Sequence, residues 1–545
     1  MRLVSFEDSL GVDREASCSW GLGPSALVEA AGRACAERML RYLWKRPEGT
    51  RSRPAVLVMA GPGNNGADAL VMLRALLLKR FCREKKTAVL LSREPSGDDP
   101  RSQAVTTLKA MGVPVHLWND TKEREELIKN AGIVIDGIAG TGLQGPLSGV
   151  SLEMVQAVNG LRRSESLVVS IDMASGCTDD FTPGASVVRA GLTLAIEPVK
   201  KAVYTPALRS FCGVIVPVRG IFPKQLLALY GGGPAETVLF GWKAARALIP
   251  AVPAGAYKYS RGLVEIHACD YGSCGAGRIA AKGASAAGAG LVRLVVDDEL
   301  YPVLAPGADG IMVVPASRAD KDGKARFRPD AVLLGPGWGR DKRHGVALAR
   351  ALEQEERGIP LVLDADGIAL AHEYFSGQGK KPRFNGMTIL TPHPGELEAL
   401  SGVSAETLLA KPGLISRMAC GFNAVLVFKS HVTVIAAPGS GNVAYVDGML
   451  PVLASGGSGD LLAGFCAALA ARLRAQGAFS GGGDSLFFAA VAAAALLVET
   501  GRKRGAAFSD PVELAGLASR VAGSAWLEGP GGDVLSLRTV GAAGR

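Results

Sequence analysis

The first half of the sequence alternates short apolar runs with helix-patterned segments, and that alternation reads as βαβ units building a parallel sheet. Strands are expected at 55–60, 88–91, 133–135, 167–171 and 214–218. Leu70, Leu73, Leu77 and Phe81 recur at helical spacing and predict a helix over 68–81. After Ile221-Phe222-Pro223 the rhythm lapses into Gly231-Gly232-Gly233-Pro234, a breaker cluster that reads as a linker. A second α/β series follows, with strands expected at 331–334, 360–363, 388–390, 424–428 and 433–436. The Ala/Gly-rich stretch 282–290 suits a helix packed closely on a sheet. Two α/β domains are therefore expected, residues 1–228 and 229–545.

Composition agrees, because 545 residues exceed one hydrophobic core at roughly 150 residues per domain. With 48% apolar residues, 20% charged residues and 70 glycines, the chain is globular and rich in tight turns. The net charge of +9 is spread without a run of basic residues, which argues against a nucleic-acid partner. Nine cysteines without a C-x-x-C pair suggest neither zinc nor disulfides and point to a reducing, cytoplasmic setting. Residues 1–15 lack an apolar secretory segment. The apolar stretch 486–498 falls short of the ~20 residues of a membrane span and reads as a buried helix, so no membrane partner is expected.

In the first domain, the strand at 55–60 runs into Gly61-Pro62-Gly63-Asn64-Asn65-Gly66-Ala67-Asp68, a turn whose free N–H groups would hold a phosphate or carboxylate. The competing reading is a tight βα turn with Asp68 countering the helix dipole. Two further strands end alike, at Asp136-Gly137-Ile138-Ala139-Gly140-Thr141-Gly142 and Asp172-Met173-Ala174-Ser175-Gly176. Ligands bind beyond the carboxyl ends of parallel strands, so these ends would converge on one crevice.

With Asp13-Arg14-Glu15 and Ala31-Gly32-Arg33, these motifs resemble the N-terminal domain of the NAD(P)H-hydrate epimerase family over roughly residues 10–225. The resemblance implies a Rossmann-like parallel three-layer sandwich. It implies a hydrated-cofactor site at Asn64, Asn65, Gly66, Ala67, Asp68, Gly140, Thr141, Gly142, Leu143, Gln144, Gly145, Pro146 and Asp172. It also implies potassium (K+) held by Asn65, Asp136 and Ser175. Epimerisation of the hydrated ring needs iminium or ring-opened character, and Asp172 is the candidate to shuttle the proton. The family's Gly-Gly-Asp-Gly stands here as Gly66-Ala67-Asp68-Ala69, and Ala174 replaces a proline; a positive φ at Ala67 would cost about 1 kcal/mol.

In the second domain, Ser455-Gly456-Gly457-Ser458-Gly459-Asp460 is a glycine loop opening a helix, suited to a phosphate in transfer with Asp460 as base. The competing reading is a Ser-capped helix. Strand ends at Gly335-Pro336-Gly337-Trp338-Gly339, Asp364-Ala365-Asp366-Gly367, Thr391-Pro392-His393-Pro394-Gly395-Glu396 and Lys429-Ser430-His431-Val432-Thr433 form a rim on one side of the sheet.

This combination resembles the ADP/ATP-dependent NAD(P)H-hydrate dehydratase family, a branch of the ribokinase-like α/β sandwich, over roughly residues 258–527. Carried over by position, Ala276, Gly339, His393 and Asp460 would contact the hydrated cofactor, and Lys429, Ser430, His431, Val432, Thr433 and Gly459 the nucleotide. The resemblance implies phosphorylation of the ring hydroxyl by ADP, or by ATP, with Mg2+, and loss of phosphate to restore NADH or NADPH, leaving AMP. The loop 267–274 and Lys429-Ser430 depart from the family's glycine-rich patterns. The fused order resembles a bacterial bifunctional repair enzyme, expected as a homo-oligomer. A ribokinase-like small-molecule kinase carrying a non-catalytic binding or scaffold domain is the alternative.

Overall fold

The structure, a computed structural model, describes residues 1–45, 54–97, 100–119, 124–162, 164–230, 236–319, 328–439, 441–479 and 483–527. The linker expected at Gly231 to Pro234 lies outside the described residues. Two compact units divide between Thr237 and Val238. Residues up to Tyr230 stay with the first because Leu226 packs with Val12 and Ala16 and Tyr230 lies against them.

In the first unit, strands β1 (Val56–Ala60), β2 (Thr87–Leu91), β3 (Val115–Leu117), β4 (Ile133–Gly137), β5 (Leu167–Ile171), β6 (Leu192–Ile196) and β7 (Val214–Val218) form a sheet ordered β3-β2-β1-β4-β5-β6-β7. Every pair is parallel. The order reverses between β1 and β4, and a doubly wound sheet opens a ligand crevice at that point. Strand β6 escaped the sequence reading, as did β3, which spans three half-buried residues around His116. Helix α1 (Phe6–Ser19) is capped by Ser5, whose hydroxyl accepts from Asp8 N. Helix α2 (Pro24–Trp44) and helix α3 (Asn64–Leu78) bury Val28, Cys35, Met39, Leu70, Leu73 and Leu77 in the core beside β1 and β4. The expected 68–81 helix thus begins four residues earlier, at Asn64, and ends before Arg80, whose φ is 57°.

In the second unit, β8 (Leu263–His267), β9 (Leu291–Val296), β10 (Met312–Pro315), β11 (Ala331–Leu334), β12 (Leu361–Leu363), β13 (Thr388–Leu390), β14 (Val425–Phe428), β15 (Val432–Ala436) and β16 (Val443–Asp447) run in the order β16-β15-β14-β13-β12-β11-β8-β9-β10. Pairing is parallel from β14 to β10, and β14, β15 and β16 pair antiparallel. The reversal lies between β8 and β11. The helices that matter below are α4 (Cys274–Ala286), α5 (Asp366–Gly377), α6 (Pro394–Ser401), α7 (Ser458–Ala475) and α8 (Gly483–Arg504).

The stretch expected to pack on a sheet is helical only to Ala286, and its helical part lies close against another helix, α7. A Cβ on Gly464 of α7 would lie 2.2 Å from Ala280 O of α4, and one on Gly283 would lie 2.9 Å from Leu461 O. Backbone meets backbone there, so nothing flexible can yield. Gly464→Ala is expected to lower stability by about 1–3 kcal/mol, read as a shifted denaturant midpoint with an unchanged slope. Helix α8 contains the apolar stretch 486–498 and is long and apolar enough to cross a membrane, but most of that apolar stretch is buried in the core.

Candidate active sites

Beyond the carboxyl ends of β1, β4, β5 and β6 lies a cavity of about 610 Å³, at the reversal of strand order. Asn64, Asn65, Asp68, Gly140, Thr141, Gly142, Leu143, Gln144, Pro146 and Asp172 all line it. Gly66, Ala67 and Gly145 do not. A Cβ on Gly66 would sit 2.3 Å from Gly61 O, so that glycine closes the turn against β1. Gly145 supplies a turn with φ 73°. Ala67 is buried inside α3 and is not among the positive-φ residues, so the strain considered for alanine there does not arise.

The cavity also takes side chains the sequence did not single out as site residues: Asp13 and Ser17 from α1, Glu197 and Lys200 after β6, and Phe222. Lys200 Nζ lies 2.7 Å from Asp172 Oδ1 and 3.2 Å from Ile196 O, and Ile196 N donates to the same Oδ1 at 3.2 Å. Lysine and aspartate are 3% and 7% exposed, so the pair is shielded from water. Asp172 holds φ 64°, a left-handed conformation that aspartate tolerates better than most residues and that turns its carboxylate onto Lys200. Main-chain bonds from Val4, 2.9 Å to Val199 O and 2.8 Å from Lys201 N, fix the lysine's backbone. Glu197 Oε1 accepts from Gly220, Ile221 and Phe222 N–H at 2.6, 2.7 and 3.2 Å, tying that rim down. Burial raises the Asp68 carboxyl well above its usual range, with Asp172 and Asp13 adding to the effect and Lys200 opposing it.

Asn65 and Ser175 meet on the Ala139 carbonyl, and Ser175 links them to Asp136. Asn65 Nδ2 donates to Ala139 O at 3.0 Å, Ser175 Oγ lies 3.1 Å from it, and Ser175 Oγ donates to Asp136 Oδ1 at 2.6 Å. Asp136 is fully buried, and burial raises its pKa against hydrogen bonds from Ser175 and Ser170. Asn65 Oδ1 is buried without a partner among the described residues. An orphaned amide oxygen beside a buried carboxylate and a carbonyl is a donor set that fits a hard monovalent cation.

In the second unit, Lys429 Nζ lies 2.6 Å from Asp364 Oδ1 and 3.9 Å from Glu396 Oε2. Thr391 Oγ1 donates to the same Asp364 oxygen at 2.7 Å. Ala365, at φ 45°, turns the chain sharply between Asp364 and Asp366. A Cβ on Gly459 would be 3.6 Å from Lys429 Nζ, which places the lysine at the N-terminus of α7. That terminus is capped by Gly457 with no side-chain bond, so the Ser-capped reading does not hold; Ser458 N donates to Ser455 O at 3.3 Å, which leaves the N–H groups of Gly459 and Asp460 to meet an anion. Burial, with Asp364 adding and Lys429 opposing, raises Asp460 to about 6. For Lys429, burial acts to lower the pKa, but Asp364, Glu396 and Asp460 outweigh it and raise it. In the sequence Asp364, Glu396 and Thr391 are marked only by their place at strand ends on the rim.

The remaining expected residues spread around this cluster. Gly339 N donates to Asp366 Oδ2 at 2.9 Å, and a Cβ on Gly339 would meet Asp270 Oδ2 at 2.1 Å. Ala276 packs against Gly337. His393 caps α6 through Nδ1 and lines a cavity of about 340 Å³ with Arg340, Asp366, His372 and Glu396. Ser430 Oγ bonds Val432 O at 2.6 Å, closing the turn at His431, while Val432 and Thr433 are buried in β15.

A family model for NAD(P)H-hydrate dehydratase matches residues 266–506, and one for the YjeF-related protein N-terminus matches residues 24–202. The bifunctional NAD(P)H-hydrate repair enzyme Nnr of Gloeobacter violaceus is 32% identical over 465 residues, covering 83% of this chain and 85% of that protein. The protein of the same name from Coxiella burnetii is 29% identical over 420 residues, 76% and 81% of the two chains. Among solved structures, the ADP/ATP-dependent NAD(P)H-hydrate dehydratase from Bacillus subtilis, co-crystallized with ATP/Mg2+, aligns at TM-score 0.44 and 23% identity over 53% of this chain and 98% of that one. The chain belongs to the family of bifunctional NAD(P)H-hydrate repair enzymes.

Proposed function

We propose that the first domain interconverts the R and S hydrates of NADH and NADPH, and that the second returns the S hydrate to the reduced cofactor using ADP or ATP. The observation that carries this reading is a buried lysine–carboxylate pair at the strand-order reversal of the first sheet, and another beside the open helix N-terminus of the second. In the second domain, Asp460 removes the proton of the ring hydroxyl as it attacks the terminal phosphorus. Gly459 and the N–H groups of α7 stabilise the phosphoryl charge, and Lys429 holds Asp364 and Glu396 in place. Phosphate then leaves where hydroxide would not, and AMP is released when ADP is the donor. Mg2+ would neutralise the nucleotide's phosphates.

In the first domain, Asp172 transfers protons at the hydroxylated ring carbon, positioned by Lys200. Asn65, Asp136 and Ser175 would hold potassium, whose charge offsets that of the buried Asp136 carboxylate. All nine cysteines are free thiols, which suits a reducing, cytoplasmic setting.

The test is recovery of reduced-nicotinamide absorbance from mixed R and S NADH hydrate with ADP, ATP or no nucleotide. Full recovery with a nucleotide supports both activities. Recovery that stalls at the S fraction would leave the first domain a binding module, and accumulation of a phosphorylated product would favour the kinase alternative. Exchanging potassium for choline is expected to slow conversion of the R form and to lower the Tm of the first domain by a few degrees, while dehydration of the S form is unchanged. An identical Tm in both salts would argue against the cation site.

A further inference from the structure

Helix α1 is a wall of the first cavity. Ser9, Asp13 and Ser17 recur every four residues and share one face, and all three line the cavity, while Val12 and Ala16 turn to a small core with Leu226. Asp13 is the one titratable side chain that α1 gives to the cavity. Its carboxyl makes no hydrogen bond or ion pair with any described residue, whereas Asp172, from the end of β5, is paired to Lys200. Asp68 also lines the cavity but rises from the first turns of α3, on the same floor of strand ends as Asp172.

Inverting a carbon that bears a hydroxyl requires proton transfer on both faces of the ring, and one carboxyl reaches only one face. We propose that Asp13 is the second proton-transfer residue of the epimerisation, serving the face of the nicotinamide ring turned away from Asp172. The proposal rests on the epimerase reading of this domain. In one direction, the carboxyl on one wall gives its proton to the hydroxyl, and the C–O bond breaks with its electron pair, releasing water. The ring-nitrogen lone pair forms the C=N bond of an iminium ion. Water then adds to the opposite face, the C=N pair returns to nitrogen, and the carboxylate on the other wall takes the excess proton. One proton has crossed from wall to wall, nothing is oxidised or reduced, and the cation between the two steps lies between carboxylates that stabilise it. Burial raises the Asp13 carboxyl, with Lys200 opposing, which suits a group that must hold a proton.

The experiment uses the full chain with R NADH hydrate. D13N is expected to epimerise about 100-fold more slowly than the natural protein while dehydrating purified S hydrate at the same rate. D13E, which keeps a carboxyl on the α1 wall, should exceed D13N by about tenfold. The unchanged dehydratase rate and an unchanged Tm of the first domain exclude misfolding as the cause. Epimerisation by D13N within about threefold of the natural rate, or equal rates for D13N and D13E, would overturn the proposal. A natural protein that leaves the R form untouched would remove the epimerase reading itself.

Discussion

Asp460→Asn should lower the dehydration rate by about 10²–10⁴-fold and, at pH 7.5, make the second domain more stable. Both effects have one cause. Burial and the neighbouring Asp364 raise the Asp460 carboxyl to about 6 in the folded protein, so the native state holds a proton between roughly pH 4 and 6 that the unfolded chain has released. Stability from this group is therefore present at low pH and lost as pH rises to about 6. Above that, the native state carries the cost of a half-buried carboxylate beside Asp364, and asparagine relieves it by about 1–2 kcal/mol, or a few degrees in Tm. The advantage of the variant should vanish towards pH 4. As a base, Asp460 acts only when ionised, so dehydration by the natural protein should rise with pH through about 6. Rate profiles and melting curves from pH 4 to 8 check both; a natural rate that is flat across that window would contradict the assignment.

Lys200→Met should abolish epimerisation and destabilise the first domain by about 3–5 kcal/mol, because it strands the buried Asp172 carboxylate without its counter-charge. Replacing Asp172 as well, by asparagine, should restore much of the stability and none of the activity. In a double-mutant cycle that restoration is the pairwise term. Activity of Lys200→Met near the natural level would show that the ion pair is structural only.

Much of the fold was legible because its strands end on residues that have to be where they are. Gly61, Gly66, Gly335, Gly337 and Gly339 stand where a side chain would strike backbone or a neighbouring carboxylate. Strand β6 was less legible because no helix separates Leu192–Ile196 from β5, so the βα alternation that marks β1, β2 and β4 is missing there. Asp172, Asp136 and Asp460 stood out through such strand and loop signatures.

Lys200 and Asp13 behaved otherwise. Lys200 stands beside Lys201 and reads as one of many surface cations, and Asp13 lies on an exposed-looking acidic helix. Only the tertiary structure brings Lys200 within 2.7 Å of Asp172, turns one face of α1 onto the cavity, and sets Lys429 against Asp364. The sequence by itself determined the two α/β domains, their strand-end loops and the family, since these depend on periodicity, backbone conformation and local spacing. Which charges are paired, which remain alone, and thus how protons are held depended on distances between segments far apart in the chain, and electrostatics follows separation in space and burial rather than order in sequence.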